Sequence, residues 1–97
     1  MKNYNLPRNV ENEIKGFAEK YGVEIVKLFG SRARGDNGER SDVDLAVYGG
    51  DFDGFYFDLK ENINSLLSFD LVEINEKIFD SLMSEIAKDG VTIYEKA

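Results

Sequence analysis

An α+β fold, a mixed β-sheet covered by helices in two layers, follows from three features of these 97 residues. Apolar residues recur at helical spacing in three separate stretches. Short β-branched and apolar runs lie between them, and glycines punctuate the changes from one to the other. The resulting order, αββαβαβ, suits helices packed on a sheet.

Pro7 fits a helix start, where its missing N–H costs nothing. Val10, Ile14, Phe17, Ala18 and Tyr21 then recur every three or four positions, an amphipathic helix that Gly22 ends. Val23 to Phe29 is β-branched and apolar, and reads as a buried strand. Gly30 to Arg40 holds three glycines and an Asp36-Asn37-Gly38 turn, so it is loop, with room for one helical turn after Ser31. Val43 to Tyr48 is the second strand, stopped by Gly49-Gly50. Phe52, Phe55, Tyr56, Leu59, Ile63, Leu66 and Leu67 form a second helical stripe. Phe69 to Ile74 is the third strand. Phe79, Leu82, Met83 and Ile86 mark a last helix before Gly90, and Val91 to Tyr94 a short fourth strand.

Length and composition restrict what such a fold can do. The chain predicts one domain over 1–97, because a second core would not fit in this size. With no cysteine and no histidine, thiolate zinc sites, cysteine nucleophiles and the usual general base are excluded. Any metal must be held by oxygen, which favours a hard divalent cation. The longest apolar run is Leu45 to Tyr48, too short to span a membrane, and no signal-like segment follows the start. A cytoplasmic location is expected. The net charge of −7 argues against a general nucleic-acid surface. Yet three of the four arginines, Arg32, Arg34 and Arg40, crowd the loop before the second strand, where a small anion would be welcome.

The chemistry concentrates there. In Ser41-Asp42-Val43-Asp44-Leu45 the strand period puts Asp42 and Asp44 on one face, ~7 Å apart, and Val43 and Leu45 on the other. Aspartate is depleted in strands and like charges on one face repel, so a divalent cation between them would turn repulsion into coordination. Taken alone, the pair reads first as a strand mouth with solvated carboxylates, since such pairs are common at strand ends. Just upstream, Phe29 runs into Gly30-Ser31, where glycine lets the backbone turn sharply and phosphate oxygens approach. Ser31 would cap the helical turn or bind phosphate through its hydroxyl. Asp70, inside an otherwise apolar strand, joins the same cleft if the second and third strands are neighbours. Glu73 and Glu76 read as surface.

Gly30-Ser31, ten residues, then Asp42-Val43-Asp44 resembles the signature of the polymerase-beta nucleotidyltransferase superfamily. More narrowly, Phe29-Gly30-Ser31-Arg32-Ala33-Arg34-Gly35, Ser41-Asp42-Val43-Asp44-Leu45 and Asp70-Leu71-Val72 are similar to the minimal nucleotidyltransferases. Those are the antitoxin partners of helical HEPN-domain toxins. The resemblance implies the nucleotidyltransferase fold and the transfer of AMP from ATP to a partner's hydroxyl, tyrosine being the acceptor. It implies that Gly30, Ser31 and Arg32 handle the triphosphate. Asp42, Asp44 and Asp70 would be the catalytic metal ligands for two magnesium ions, with Asp70 helping to deprotonate the acceptor. Larger members carry a C-terminal helical domain for which these 97 residues leave no room, so base and acceptor contacts are expected from elsewhere, a partner protein. A second class of function stays open, an antitoxin that keeps this fold but neutralises its toxin by binding alone. Transfer to a small molecule fits less well without a second domain. Four aromatics within six residues, Phe52, Phe55, Tyr56 and Phe57, are the expected partner surface, with burial of three of them the competing expectation.

Overall fold

The computed structural model describes residues 4–75 and 80–97. Helix α1 (Arg8–Lys20) leads into strand β1 (Ile25–Phe29), the one-turn helix α2 (Ser31–Arg34) and strand β2 (Val43–Tyr48). Helix α3 (Phe52–Asn62), strand β3 (Phe69–Glu73), helix α4 (Asp80–Asp89) and strand β4 (Val91–Glu95) follow. The sheet order is β3-β2-β1-β4. β1 runs antiparallel to both β2 and β4, whereas β2 and β3 are parallel, joined by α3 as a crossover. The sheet is therefore mixed and the fold α+β, as the sequence predicts. The helical turn anticipated after Ser31 is present as α2. Glu76 and Phe79 lie outside the described residues.

Strand alternation sorts the side chains. Val43, Leu45 and Val47 of β2, Val26 and Leu28 of β1, and Phe69 and Leu71 of β3 join Val10, Ile14 and Ala18 of α1 and Phe55 and Leu59 of α3 in the main core. The opposite face of the sheet carries a smaller cluster, Phe29, Ala46 and Ile86, with Val72 and Leu82 packed against it. Helix α4 supplies Ile86 and Leu82, so it covers only part of this second face. Asp44 and Asp70 belong to that face by alternation, since their neighbours in each strand point into the main core.

α3 ends at Asn62, earlier than the apolar stripe to Leu67 suggests. Ile63 turns extended, with ψ 134°. Asn64 N–H donates to the Glu13 carboxylate (3.0 Å) and Leu67 N–H to Ser65 Oγ (3.1 Å). Side-chain acceptors of this kind, here a carboxylate and a serine hydroxyl, offer the backbone an alternative to the helix. Leu66 is consequently fully exposed while Ile63 and Leu67 still pack on the core. A clasp fixes α3 to α1: Asp58 accepts from Lys20 Nζ (2.7 Å), Tyr21 OH (2.6 Å) and Asn62 Nδ2 (2.6 Å). The lysine contact first, then the tyrosine and asparagine donors, hold the Asp58 carboxyl down at about 2.

Three of the four clustered aromatics are core or its fringe. Phe55 is wholly buried, Phe52 and Tyr56 pack against the core, and Phe57 alone is 66% exposed, edge-on to Tyr56. Successive helix positions point in different directions, so one buried face cannot take all four. Phe55→Ala should accordingly cost about 3–5 kcal/mol, and Phe57→Ala no more than about 0.5 kcal/mol. Urea titration of the two variants measures this directly, and equal losses would contradict the burial pattern.

Candidate active site

The candidate site is built at the C-terminal end of β1 and the facing ends of β2 and β3. Phe29, the last residue of β1, pairs with Asp44 of β2, and Asp44 in turn pairs with Asp70 of β3. Neighbouring strands lie about 4.8 Å apart, so the two carboxylates sit side by side on one face. Gly30 follows Phe29 and closes the third side. Its φ of 76° and ψ of −158° fall in a region open essentially to glycine alone. A β-carbon there would run into the Asp44 carboxylate. Glycine is thus required both by the turn and by the acid behind it. Gly30, not Ser31, is the residue that precedes α2, and half-buried Ser31 is the first residue of that turn.

Burial pushes the Asp44 carboxyl up to about 6, with Asp70, Asp42 and Glu85 adding repulsion and Arg34 opposing them. Asp42 is exposed, one residue before β2. The structure therefore brings Gly30, Asp44 and Asp70 into one corner, with Asp42 close enough to be felt electrostatically. One group, Glu85, has no counterpart in the sequence reading, and one, Arg34, is anticipated there only as a donor for an anion. Glu85, on α4, reaches the site only because α4 crosses this face of the sheet. Arg34 donates to Asp36 (3.0 Å) and lies 3.5 Å from Asp89 of α4. It is the loop arginine that acts on Asp44. Arg32, expected beside the triphosphate, is instead 3% exposed and turned away into the protein. Its Nε, Nη1 and Nη2 donate to the carbonyl oxygens of Ser41 (3.0 Å), Asn5 (3.1 Å) and Glu39 (3.2 Å). Nothing in the motif's spacing distinguishes the buried arginine from the exposed one.

Residues 12–97 match the family described as Polymerase beta, Nucleotidyltransferase. The chain belongs to that family, and the corner built by Gly30, Asp44 and Asp70 lies on its characteristic fold. No curated protein matches by sequence. Among solved structures, a toxin-antitoxin crystal structure with AMP-PNP superposes with a TM-score of 0.69 at 23% identity, covering 89% of this chain and 73% of that one. A mutant of the toxin-antitoxin MntA-HpeT gives 0.69 at 21% over the same shares. A nucleotidyltransferase from Sulfolobus solfataricus gives 0.57 at 19%, over 92% of this chain and 79% of its own. At these identities the likeness is one of fold.

The family implies divalent metal, and the donor chemistry fits. Adjacent carboxylates, one of them with a raised proton affinity, form an all-oxygen site whose excess negative charge a hard cation would neutralise. Among the described residues no three acidic side chains converge enough to enclose a metal. Magnesium commonly takes only one or two carboxylates, its remaining positions going to water and phosphate oxygens. Among those residues, too, no helix is long and apolar enough to cross a membrane.

Proposed function

We propose that this chain is a cytoplasmic, antitoxin-type nucleotidyltransferase that moves AMP from ATP onto a hydroxyl, tyrosine, of a helical HEPN-type toxin. The observation that carries the reading is the register Phe29–Asp44–Asp70, which sets two acids against the glycine turn. Fold neighbours from toxin-antitoxin pairs, one of them with AMP-PNP, support the antitoxin assignment and the nucleotide.

Asp44 and Asp70, with Asp42 at the edge of the site, would hold magnesium together with water and phosphate oxygens, and the ion when bound would supply charge neutralisation for the triphosphate and for the leaving pyrophosphate. Gly30 leaves room for phosphate oxygens beside the turn, and the Ser31 hydroxyl donates to one of them. Asp70 accepts the proton of the acceptor hydroxyl as its oxygen attacks the α-phosphorus. A new P–O bond forms there, the bond to the β-phosphate bridging oxygen breaks, and pyrophosphate departs. Lacking histidine, the chain has only carboxylates to take that proton near neutral pH.

Incubation with the protein encoded beside it, magnesium and ATP labelled at the α- or the γ-phosphate tests the reading. Label should reach the partner from the α position only. Transfer of the γ label would overturn it. No transfer with full protection by a bound partner would leave neutralisation by binding. Ser31→Ala should slow transfer roughly 10–150-fold, the worth of a charge-assisted hydrogen bond. Its association with the partner, followed by sedimentation, should not change.

A further inference from the structure

We propose that Arg32 is a positioning residue: its buried guanidinium pins the loop that ends at Asp42 and so fixes that carboxylate relative to Gly30-Ser31. This rests on the transfer reading above for its catalytic consequence, and on geometry for the pinning itself. Asp42 is exposed and precedes β2, so neither burial nor strand pairing of its own restrains it. Its two neighbours are held instead. On one side Ser41 O accepts from Arg32 Nε (3.0 Å), and on the other Val43 N–H donates to Ser68 O (2.9 Å).

The pinned segment is itself closed into a unit. Ser41 N–H donates to Gly38 O (3.2 Å), Gly38 N–H to Ser41 Oγ (2.8 Å), and Glu39 O accepts from Arg32 Nη2 (3.2 Å). Arg32 thus grips residues 38–41 at two carbonyls. The base of the grip is fixed from behind: Arg32 Nη1 donates to Asn5 O (3.1 Å), and Asn5 N–H donates back to Arg32 O (2.9 Å). Leu6, next in the chain, is buried in the main core and anchors that strap. Because Arg32 sits one residue after Ser31 on the same turn, the phosphate-facing hydroxyl and the Asp42 loop share one rigid mount. A guanidinium fork suits this task, since it offers planar donors in several directions, whereas an ammonium is a single point.

The test is Arg32→Lys in the full chain, with Arg32→Gln, which carries no buried charge, where lysine is not tolerated. Amide hydrogen exchange over 38–43 should quicken about tenfold or more, because hydrogen bonds from a charged donor are lost there. Exchange in β1 and β4 should stay unchanged. Turnover should fall about 10²-fold, the size expected for a misplaced catalytic group. The KM for ATP should stay within about twofold, since no ground-state phosphate contact is removed. Turnover restored by raising ATP would make Arg32 a phosphate contact and overturn the proposal. Exchange unchanged over 38–43, or quickened throughout the sheet, would overturn it as well. If the unaltered protein transfers nothing, the transfer reading fails, and the exchange pattern by itself still upholds or refutes the pinning.

Discussion

Asp44→Asn should abolish nucleotidyl transfer while making the metal-free protein more stable. Removing one preorganised electrostatic partner of a transition state costs at least about 10²–10³-fold in rate. Stability moves the opposite way because Asp44 is held against its own interest. Its carboxyl is pushed up to about 6 in the folded chain from an ordinary 3.8, chiefly by burial and then by Asp70, Asp42 and Glu85. A carboxyl raised in this way binds protons more tightly folded than unfolded. The penalty is absent below the unfolded value, grows between the two, and is complete above about 6. A rise from 3.8 to about 6 corresponds to at most ~3 kcal/mol, and because the group is only partly buried, solvent screening reduces this to about 1–2 kcal/mol. In chelator at pH 7.5 the Asn variant should therefore melt about 4–16 °C higher. By pH 4 the gap should close. A variant that melts with the parent at both pH values would show that Asp44 is not the strained carboxylate, and undiminished transfer would remove it from the site.

Gly30→Ala should be nearly as damaging to activity and, unlike the first variant, should also weaken the fold. The backbone at φ 76°, ψ −158° costs an alanine about 1–3 kcal/mol on conformational grounds. The added methyl also meets the Asp44 carboxylate, so one of the two must move. Displacing Asp44 by even an ångström separates it from Asp70, and misplacement on that scale costs about 10²-fold. Gly22→Ala makes the comparison, since Gly22 has φ 66° and nothing within 4 Å of its would-be methyl. It should show the backbone penalty with transfer intact. Equal transfer in both variants would mean that the approach of Gly30 to Asp44 does not matter.

The sequence alone made the second strand and its acids legible, because Val43 to Tyr48 is bounded by a polar turn on one side and Gly49-Gly50 on the other. Period-two alternation then placed Asp44 opposite the core face without any knowledge of the sheet. Asp70 needed one further fact, that β3 lies beside β2, and only tertiary structure supplies the register between them. Arg32 and Arg34 look alike in sequence. Which one is buried depends on carbonyls contributed by Asn5, Glu39 and Ser41, and loop carbonyls leave no trace in residue identity. Glu85 was hidden for a related reason, since helical spacing shows which side of α4 is apolar but not which face of the sheet it meets. α3 ends before its apolar spacing does because the backbone N–H groups past Asn62 are taken by side chains, the Glu13 carboxylate at Asn64 and the Ser65 hydroxyl at Leu67.

The order of strands also decides when the active corner can exist during folding. β1 and β2 are near in sequence and can pair early, but Asp70 reaches Asp44 only after α3 has crossed over and β3 has docked in parallel register. Parallel pairing across a helix demands loop closure before its contacts repay the entropy, so it forms late. A chain with the β1–β2 pair alone would carry Gly30 beside Asp44 and no second acid. The corner of Gly30, Asp44 and Asp70 is thus complete only once β3 has joined the sheet, so any chemistry that needs both acids needs nearly the whole fold.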